Sequence, residues 1–268
     1  MKKFQGMLLL SDMDGTILND KKEISQENKD AVRYFAENGG YFSLATGRSK
    51  RSMDYYVEEL HINAPVVVYN GSGVYDFKNE RYIFEKNMND TCVEFVRDMC
   101  GKFPYLAAEV YLKESEFVVQ PNDLTVRHFV NIRLPMIEKR PEDIELPWVK
   151  VNFVAPKDKV DEVENYARSA WKDKWFYQRS GSSFFEAMSV GVDKGTGALA
   201  VCDYVGVDRK FLFTAGDHMN DIELIEAAGI SFCPENSVPY IKEIADVTVS
   251  DNNHHTIASV VEYLDRKF

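Results

Sequence analysis

The segment of residues 7–17 constrains the fold more than any other part of the chain. A short apolar run ends there in two aspartates, Asp12 and Asp14, and Gly15 follows at once. An apolar run of this length is typical of a buried parallel strand, and the glycine marks the turn that ends it. Side chains two positions apart in an extended chain point to the same side. We therefore expect both carboxylates at the carboxyl end of a strand, where open α/β sheets bind ligands.

Three further polar signals follow downstream in a fixed order. They are Thr46-Gly47-Arg48, Lys194-Gly195-Thr196-Gly197 and Gly216-Asp217-His218-Met219-Asn220-Asp221. Taken singly, each has a simpler explanation: Lys194 as a surface lysine, Thr46 as a helix cap, and the third segment as a loop with a cap. Because every signal falls at the end of a predicted strand or at the start of a predicted helix, their order favours one shared site.

The pattern of apolar residues predicts an α/β fold with a doubly wound parallel sheet. Strands are predicted at residues 7–11, 41–45, 66–69, 211–214, 230–232 and 247–249, and helices at 26–37, 49–60, 221–228, 239–244 and 256–266. Strands that alternate with amphipathic helices are typical of parallel sheets with helical crossovers.

The middle of the chain has a different pattern. Helices are predicted at residues 90–103 and 158–171, and strands at 106–112, 117–119, 149–154, 175–178 and 183–188. Closely spaced strand pairs beside helices predict an antiparallel α+β domain. We therefore expect a core formed by residues 1–84 and 190–268, with residues 85–189 as an inserted domain.

The grouping of acids suits phosphoryl transfer, in which catalysis consists mostly of positioning and charge neutralisation. Asp12 is the candidate nucleophile, which would form an aspartyl-phosphate. Mg²⁺ prefers oxygen ligands, and Asp12 and Asp217 are expected to reach one ion from different strand ends. Asp14 is the candidate general acid and base, and its pKa is expected to be raised by the neighbouring anion.

The other polar residues of these three segments are expected to bind the phosphoryl group or to support the metal site. Lys194, the hydroxyl of Thr46 and the amide of Gly47 are expected to hold the phosphoryl oxygens as charge develops on them. Asn220 would donate a further hydrogen bond. Asp221 is expected to accept a hydrogen bond from water bound to the metal.

Composition excludes several classes of function. The formal net charge is −11 and no block of basic residues is present, which argues against a nucleic-acid-binding surface. No apolar stretch approaches the length of a membrane span, and because the N-terminal apolar run is very short and meets Asp12, we expect no signal peptide there. The four cysteines lack metal-ligand spacing, so we expect reduced, mostly buried thiols in a cytoplasmic enzyme.

In combination, these motifs resemble the haloacid dehalogenase-like hydrolase superfamily, and within it the Cof-type phosphatases with a large inserted cap domain. The resemblance rests on Asp12-Met-Asp-Gly-Thr-Ile17, Thr46-Gly47-Arg48, Lys194-Gly195 and Gly216-Asp217-x-x-Asn220-Asp221. It implies a Rossmann-like core, Mg²⁺ and Asp12 as the nucleophile. It also implies Asp14 as acid and base with its main-chain carbonyl on the metal, Asp217 as a metal ligand, and Thr46, Gly47, Lys194 and Asn220 around the phosphate.

Two segments depart from the family pattern. His218 stands where the family more often has Asn, Ser or Gly, so it is either a titratable group near the metal or an exposed loop histidine. Residues 250–257 lack the glycine of a loop that is usual near the end of the family, although Asn252 aligns with it.

These observations predict a Mg²⁺-dependent phosphatase that acts on a small phosphorylated metabolite, such as a sugar phosphate. We expect no nucleic-acid or membrane partner and a monomer or small homo-oligomer. Tyr111, Tyr177, Arg179 and Glu186 are candidates for lining the pocket from the inserted domain, with a place in its core or on its surface as the alternative. The rival functions are a phosphomutase of the same superfamily and a non-catalytic phosphate-binding regulatory module.

Overall fold

The computed structural model describes residues 2–132 and 134–268. The chain divides into two compact units. The core unit comprises the residues up to Arg48, Met53–Glu85 and Asp193–Phe268, and the inserted unit comprises Ser49–Ser52 and Lys86–Val192.

The first part of the core unit contains two helices and five strands. They are β1 (Leu8–Ser11), α1 (Gln26–Glu37), β2 (Tyr41–Leu44), α2 (Asp54–Glu59), β3 (Val66–Val68), β4 (Gly73–Asp76) and β5 (Arg81–Glu85). Helix α1 has the predicted bounds because the hydroxyl of Ser25 caps its start, accepting from the amide of Asn28. It ends before Gly39, whose φ of 92° continues no right-handed helix.

The predicted helix over residues 49–60 is shorter in the structure. A 3₁₀ turn covers Lys50–Ser52, and α2 begins only at Asp54. The hydroxyl of Ser52 donates to the carbonyl of Ser49 at 2.8 Å instead of capping the helix. Such local bonds compete with helix formation.

The inserted unit contains an antiparallel sheet and three helices among its described residues. The elements are α3 (Cys92–Lys102), β6 (Ala107–Tyr111), β7 (Glu116–Val119), α4 (Asp123–Asn131), β8 (Lys150–Val154), α5 (Val160–Ala170), β9 (Phe176–Gly181) and β10 (Phe184–Met188). The strand order is β7-β6-β8-β10-β9. One sheet face packs in an apolar core in which Phe95 of α3 contacts Phe153 of β8, with ring centroids 5.2 Å apart.

The last part of the chain completes the core unit. Its elements are α6 (Lys194–Val205), β11 (Leu212–Ala215), α7 (Ile222–Ala227), β12 (Ile230–Pro234), α8 (Pro239–Ile244), β13 (Val247–Val249) and α9 (Thr256–Lys267). A parallel sheet has the order β13-β12-β11-β1-β2, so the predicted α/β fold with a parallel sheet is confirmed.

The third predicted strand, β3, was expected in the parallel sheet but is not one of its five strands. A parallel bridge joins Val67 of β3 to Ala45, directly after β2. Beyond this bridge, β3 pairs antiparallel with β4, and β4 pairs with β5. This hairpin was not expected from the sequence.

No helix within residues 2–132 and 134–268 is long and apolar enough to cross a membrane. All four cysteines, Cys92, Cys100, Cys202 and Cys233, are buried and carry free thiols. Burial raises the pKa of Cys92 and of Cys100 to about 12 each, and that of Cys202 to about 11. These three groups therefore have little thiolate character at neutral pH.

Candidate active site

The register of the parallel sheet brings three sequence motifs to one edge. Ser11, the last residue of β1, lies beside Leu44 of β2 and Ala215 of β11. The amide of Asp12 continues this pairing, donating to the carbonyl of Ala215 at 2.8 Å. The loops that follow all three strands therefore start at the same edge, as the strand-end positions of the motifs predicted.

A buried lysine joins two of the predicted acids. Lys194 is fully buried, and its Nζ donates to Oδ1 of Asp12 at 2.5 Å and to Oδ1 of Asp221 at 2.6 Å. Burial alone would lower the pKa of Lys194, but the two carboxylates raise it above its ordinary value. The lysine is the first residue of α6, and the Asp193 side chain caps that helix by accepting from the amide of Thr196.

Asp217 lies against the loop that follows β1. Its Oδ1 accepts from the hydroxyl of Thr16 at 3.0 Å. A Cβ on Gly15 would come within 2.5 Å of Oδ2 of Asp217, and Gly15 has a φ of +93°, so both space and backbone conformation require glycine there. Burial, followed by the charge of Asp221, raises the pKa of Asp217 to about 7.

Both carboxylate oxygens of Asp221 accept hydrogen bonds. Its Oδ1 accepts from Lys194, and its Oδ2 accepts from the amides of Asp217 at 3.0 Å and His218 at 3.1 Å. This arrangement fixes the loop between β11 and α7. Asp221 is therefore suited to positioning its neighbours, and its hydrogen bond to metal-bound water stays a prediction.

The three carboxylates of Asp12, Asp217 and Asp221 suit a hard cation such as Mg²⁺. Asp12, Asp217 and Asp221 are buried, and each offers a carboxylate oxygen that lies within 4.8 Å of the others. Burial raises the pKa of Asp12 well above its ordinary value, and Lys194 offsets only part of this effect. Because neighbouring buried carboxylates repel one another, a cation beside them would stabilise their ionised forms.

The state of Asp14 corrects one expectation. Its carboxylate receives a bidentate pair of hydrogen bonds from Arg48, both at 2.9 Å, and a third from Lys22 at 2.9 Å. Partial burial would raise the pKa of Asp14, but these two cations lower it well below its ordinary value. The predicted raised pKa of Asp14 is wrong for this arrangement because the sequence did not reveal that two cations would reach it.

The predicted phosphate-binding residues lie around the same edge. The hydroxyl of Thr46 accepts from the amide of Arg48 at 3.2 Å, and Thr46 itself is buried. Half-buried Asn220 donates through Nδ2 to Oδ1 of Asn70 at 3.3 Å. A Cβ on Gly47 would come within 3.0 Å of the same Asn70 side chain.

Asn70, which was not among the predicted site residues, connects these loops. Its amide donates to the carbonyl of Thr46 at 2.9 Å, while its side chain receives Asn220. Asn70 is fully buried and has a φ of 52°, and the neighbouring Tyr69 and Gly71 also have positive φ. An Asn-Gly pair directly after an apolar strand was the available signal.

His218 and the loop of residues 250–257, which depart from the family pattern, lie in different surroundings. His218 is half-buried, and burial lowers its pKa. Asn252 is buried and donates through Nδ2 to the carbonyl of Leu18 at 3.1 Å. The loop of residues 250–257 therefore supports the segment that follows the first motif.

Comparison with known proteins gives consistent matches over nearly the whole chain. A family model described as haloacid dehalogenase-like hydrolase matches residues 9–261. The 5-amino-6-(5-phospho-D-ribitylamino)uracil phosphatase YitU of Bacillus subtilis is 24% identical over 256 residues, covering 94% of each chain.

Two solved structures have the same fold. A haloacid dehalogenase-like hydrolase from Bacteroides thetaiotaomicron superposes with a TM-score of 0.85 at 25% identity, over 98% of this chain and 99% of that one. A sugar phosphatase of HAD subclass IIB gives a TM-score of 0.86 at 17% identity, over 97% and 99% of the respective chains. The second likeness concerns the fold alone.

Proposed function

We infer that this chain, which belongs to the haloacid dehalogenase-like hydrolase family, is a phosphatase, and we propose that it hydrolyses small phosphorylated metabolites with the help of Mg²⁺. Sugar phosphates and similar phosphomonoesters are the proposed substrates. The name of one similar protein, a phosphatase of a phosphoribitylamino-uracil, supports this class.

The observation that carries the proposal is the network of Asp12, Lys194 and Asp221 at the carboxyl ends of the parallel strands. A carboxylate that pairs with a buried ammonium group, and that a cation beside it would keep ionised, is suited to attack phosphorus. In the proposed first step, an oxygen of Asp12 forms a bond to phosphorus as the bond to the leaving oxygen breaks. The leaving oxygen takes a proton, and the phosphoryl group stays on Asp12.

In the proposed second step, a water molecule attacks phosphorus and releases phosphate from Asp12. Asp14 is the proposed proton donor in the first step and acceptor in the second. Its pairing with Arg48 and Lys22 keeps it ionised, which suits the second step. To donate a proton in the first step, Asp14 must leave these cations, so we expect its contacts to change when substrate binds.

The proposed phosphate contacts come from residues of the same edge. Lys194 would neutralise charge on the phosphoryl oxygens, and the loop of Thr46 and Gly47 would donate hydrogen bonds, with Asn220 opposite. Asp12 and Asp217, with the main-chain carbonyl of Asp14, would hold Mg²⁺. Bound there, the ion would offset the repulsion between the carboxylates and the anionic substrate.

Phosphate release from a panel of metabolite phosphates tests the proposal. We would measure it with Mg²⁺, with EDTA, and with the Asp12→Asn variant, using Asp30→Asn at an exposed position of α1 as the matched control. We expect release that requires both the metal and Asp12, with a loss of roughly a thousandfold or more in the variant. Formation of an isomer in place of free phosphate would identify a phosphomutase. No phosphate release from any member of the panel by folded protein would contradict a general phosphatase and favour the phosphomutase or the non-catalytic phosphate-binding module.

A further inference from the structure

The turn between β12 and α8 contacts both loops of the core unit that carry Asp14 and Asp217. Residues 235–238 form this turn, in which the amide of Ser237 donates to the carbonyl of Pro234 at 3.0 Å. Its first residue is held by the neighbouring strand, because the amide of Glu235 donates to a carbonyl at the end of β13 at 3.0 Å. The turn therefore starts from a fixed place at the carboxyl edge of the parallel sheet.

The last residue of the turn holds the main chain of Asp217, a proposed metal ligand that follows β11. The amide of Val238 donates to the carbonyl of Asp217 at 3.0 Å. Val238 is also the residue that precedes the first turn of α8, which begins with Pro239. Because proline at this position has a backbone angle suited to the helix, the start of α8 is well defined, and it sets the position of Asp217.

Asn236, in the middle of the turn, holds the loop of the first motif. Its Nδ2 donates to the carbonyl of Gly15 at 2.7 Å. Because a peptide unit is planar, fixing this carbonyl also fixes the direction of the amide of Thr16. The hydroxyl of Thr16 donates in turn to Oδ1 of Asp217 at 3.0 Å. The same turn therefore holds both partners of the contact between the first motif and Asp217.

The side-chain amide of Asn236 is itself held in one orientation. Its Oδ1 accepts from the amide of Asn252 at 2.9 Å. The opposite orientation would place its oxygen against the Gly15 carbonyl and its NH₂ group against an N–H, so the two contacts define which way the amide points. Asn252 is buried in the loop of residues 250–257, which departs from the family pattern. This loop therefore supports Asn236 as well as the segment after the first motif.

These contacts set the separation of the two loops. The turn binds Gly15 through Asn236 and binds Asp217 through a main-chain amide, and Thr16 closes the circuit by its direct bond to Asp217. Asp14 immediately precedes Gly15, whose φ is +93°. The direction of the Asp14 carbonyl depends on this backbone conformation, so a group that fixes Gly15 also fixes that carbonyl.

We propose that Asn236 is a positioning residue for the metal site: it keeps the main-chain carbonyl of Asp14 and the carboxylate of Asp217 at the spacing that Mg²⁺ needs. Mg²⁺ demands near-ideal octahedral geometry, so its affinity depends on the groups that orient its ligands. Asn236 acts through Gly15 and does not itself bind the ion. The inference rests on the proposed function only in taking Mg²⁺ as the ion held by this site.

Mg²⁺ binding to the full chain tests this role without any turnover. We would measure the Kd for Mg²⁺ by isothermal titration calorimetry with wild type, Asn236→Ala, and Asn131→Ala at the exposed end of α4 as the matched control. Asn236 is exposed, so its truncation leaves no cavity. We expect Asn236→Ala to raise the Kd roughly tenfold and the control to leave it unchanged. An unchanged Kd in folded Asn236→Ala, even with a lowered Tm, would show a structural role only and overturn the proposal.

Ca²⁺ provides the second test because its coordination is more flexible than that of Mg²⁺. We expect Asn236→Ala to raise the Kd for Ca²⁺ less than about threefold, since Ca²⁺ tolerates altered ligand spacing. An equal loss for both ions would mean that Asn236 supports the site in general, and it would overturn the role in spacing. If the wild-type chain binds neither ion, the proposed metal site fails and this inference fails with it. If Asn236→Ala binds Mg²⁺ as well as wild type does, this inference alone fails.

Discussion

Lys194 is the residue on which the charge balance of the site depends. It is fully buried between Asp12 and Asp221, so its removal would leave two buried carboxylates without a counter-charge. Breaking a buried ion pair by deleting one partner is more costly than replacing the whole pair, because the remaining charge stays buried.

We therefore expect Lys194→Met to lower the free energy of unfolding by about 3–5 kcal/mol. Lys210→Met is the matched control: Lys210 is exposed and pairs with exposed Asp208, so its loss should cost less than about 1 kcal/mol. Urea denaturation of both variants measures the difference. Similar values for the two variants would show that the Lys194 contacts contribute little to stability.

Asn70 permits a separation of backbone and side-chain effects. It combines a left-handed backbone with a hydrogen bond from Asn220. Asn70→Gly keeps the backbone conformation and loses the hydrogen bond, while Asn70→Ala loses both advantages.

For phosphate release, we expect kcat/KM to fall about tenfold in both Asn70 variants because Asn220 loses its side-chain partner, while the hydrogen bond from the main-chain amide of residue 70 to Thr46 remains. Asn70→Ala should also be less stable than Asn70→Gly by about 1–2 kcal/mol, the usual cost of a left-handed backbone with a Cβ. Full activity in Asn70→Gly would show that the side chain does not position the site.

The sequence predicted which site residues would meet, but not how they would be paired. Asp12, Asp217 and Asp221 follow or begin predicted elements, so the register of a parallel sheet is enough to bring them together. Lys194 begins α6, a helix that was not predicted from the sequence. The charge state of Asp14 depends on Lys22 and Arg48, which approach through loop conformations that no periodic pattern encodes. The role of Asn70 likewise depends on a backbone conformation, not on a recognisable motif.

At the scale of elements, the close contact between α6 and α7 holds Lys194 near Asp221. A Cβ on Gly195 would lie only 2.2 Å from the carbonyl oxygen of Glu223, so the two helices approach too closely for any side chain there. Gly101 in α3 provides a contrast, because a Cβ at that position would meet nothing within 4 Å.

These two glycines should respond to alanine in opposite directions. We expect Gly195→Ala to destabilise the protein by about 1–3 kcal/mol through forced separation of the helices. Gly101→Ala should stabilise it by up to about 1 kcal/mol, because alanine favours the helical backbone. Midpoints of chemical denaturation, compared with the wild-type midpoint, check both signs. A stabilised Gly195→Ala variant would contradict the tight approach of α6 and α7.

Element prediction succeeded where local signals and periodicity agreed. The bounds of α1 and α8 match the predicted ones because caps and a proline mark their limits. Helix α4 was missed, since its start is a capping box in which Asn122 and Thr125 replace the more familiar serine and glutamate. The hairpin of β4 and β5 was also missed, because strand pairing depends on contacts between separate segments.

At the scale of the whole molecule, bound Mg²⁺ should act as a stabilising ligand. A ligand at about 100 times its Kd adds about 2.7 kcal/mol to the folded state, which corresponds to roughly 5–10 °C in Tm for a chain of this size. We therefore expect Mg²⁺ to raise the Tm of the wild-type protein and EDTA to reverse the rise.

Asp217→Asn should remove this stabilisation, because the amide is a weaker ligand than the carboxylate. Without metal, the same variant should be at least as stable as wild type, since it relieves repulsion with Asp221. Asp30→Asn is the control that should keep the full Mg²⁺ effect. A Mg²⁺-induced rise in Tm that persists in Asp217→Asn would exclude Asp217 as a metal ligand.

The buried cysteines make the chain convenient for site-specific spectroscopy. All four thiols are inside the protein, and burial raises the pKa of three of them, so reagents that label thiolates should react slowly with the folded chain. A cysteine placed at an exposed position of each unit would then be labelled selectively by a fluorophore or spin label, without first replacing the native thiols. Distances between two such labels could then be measured without interference from the native thiols.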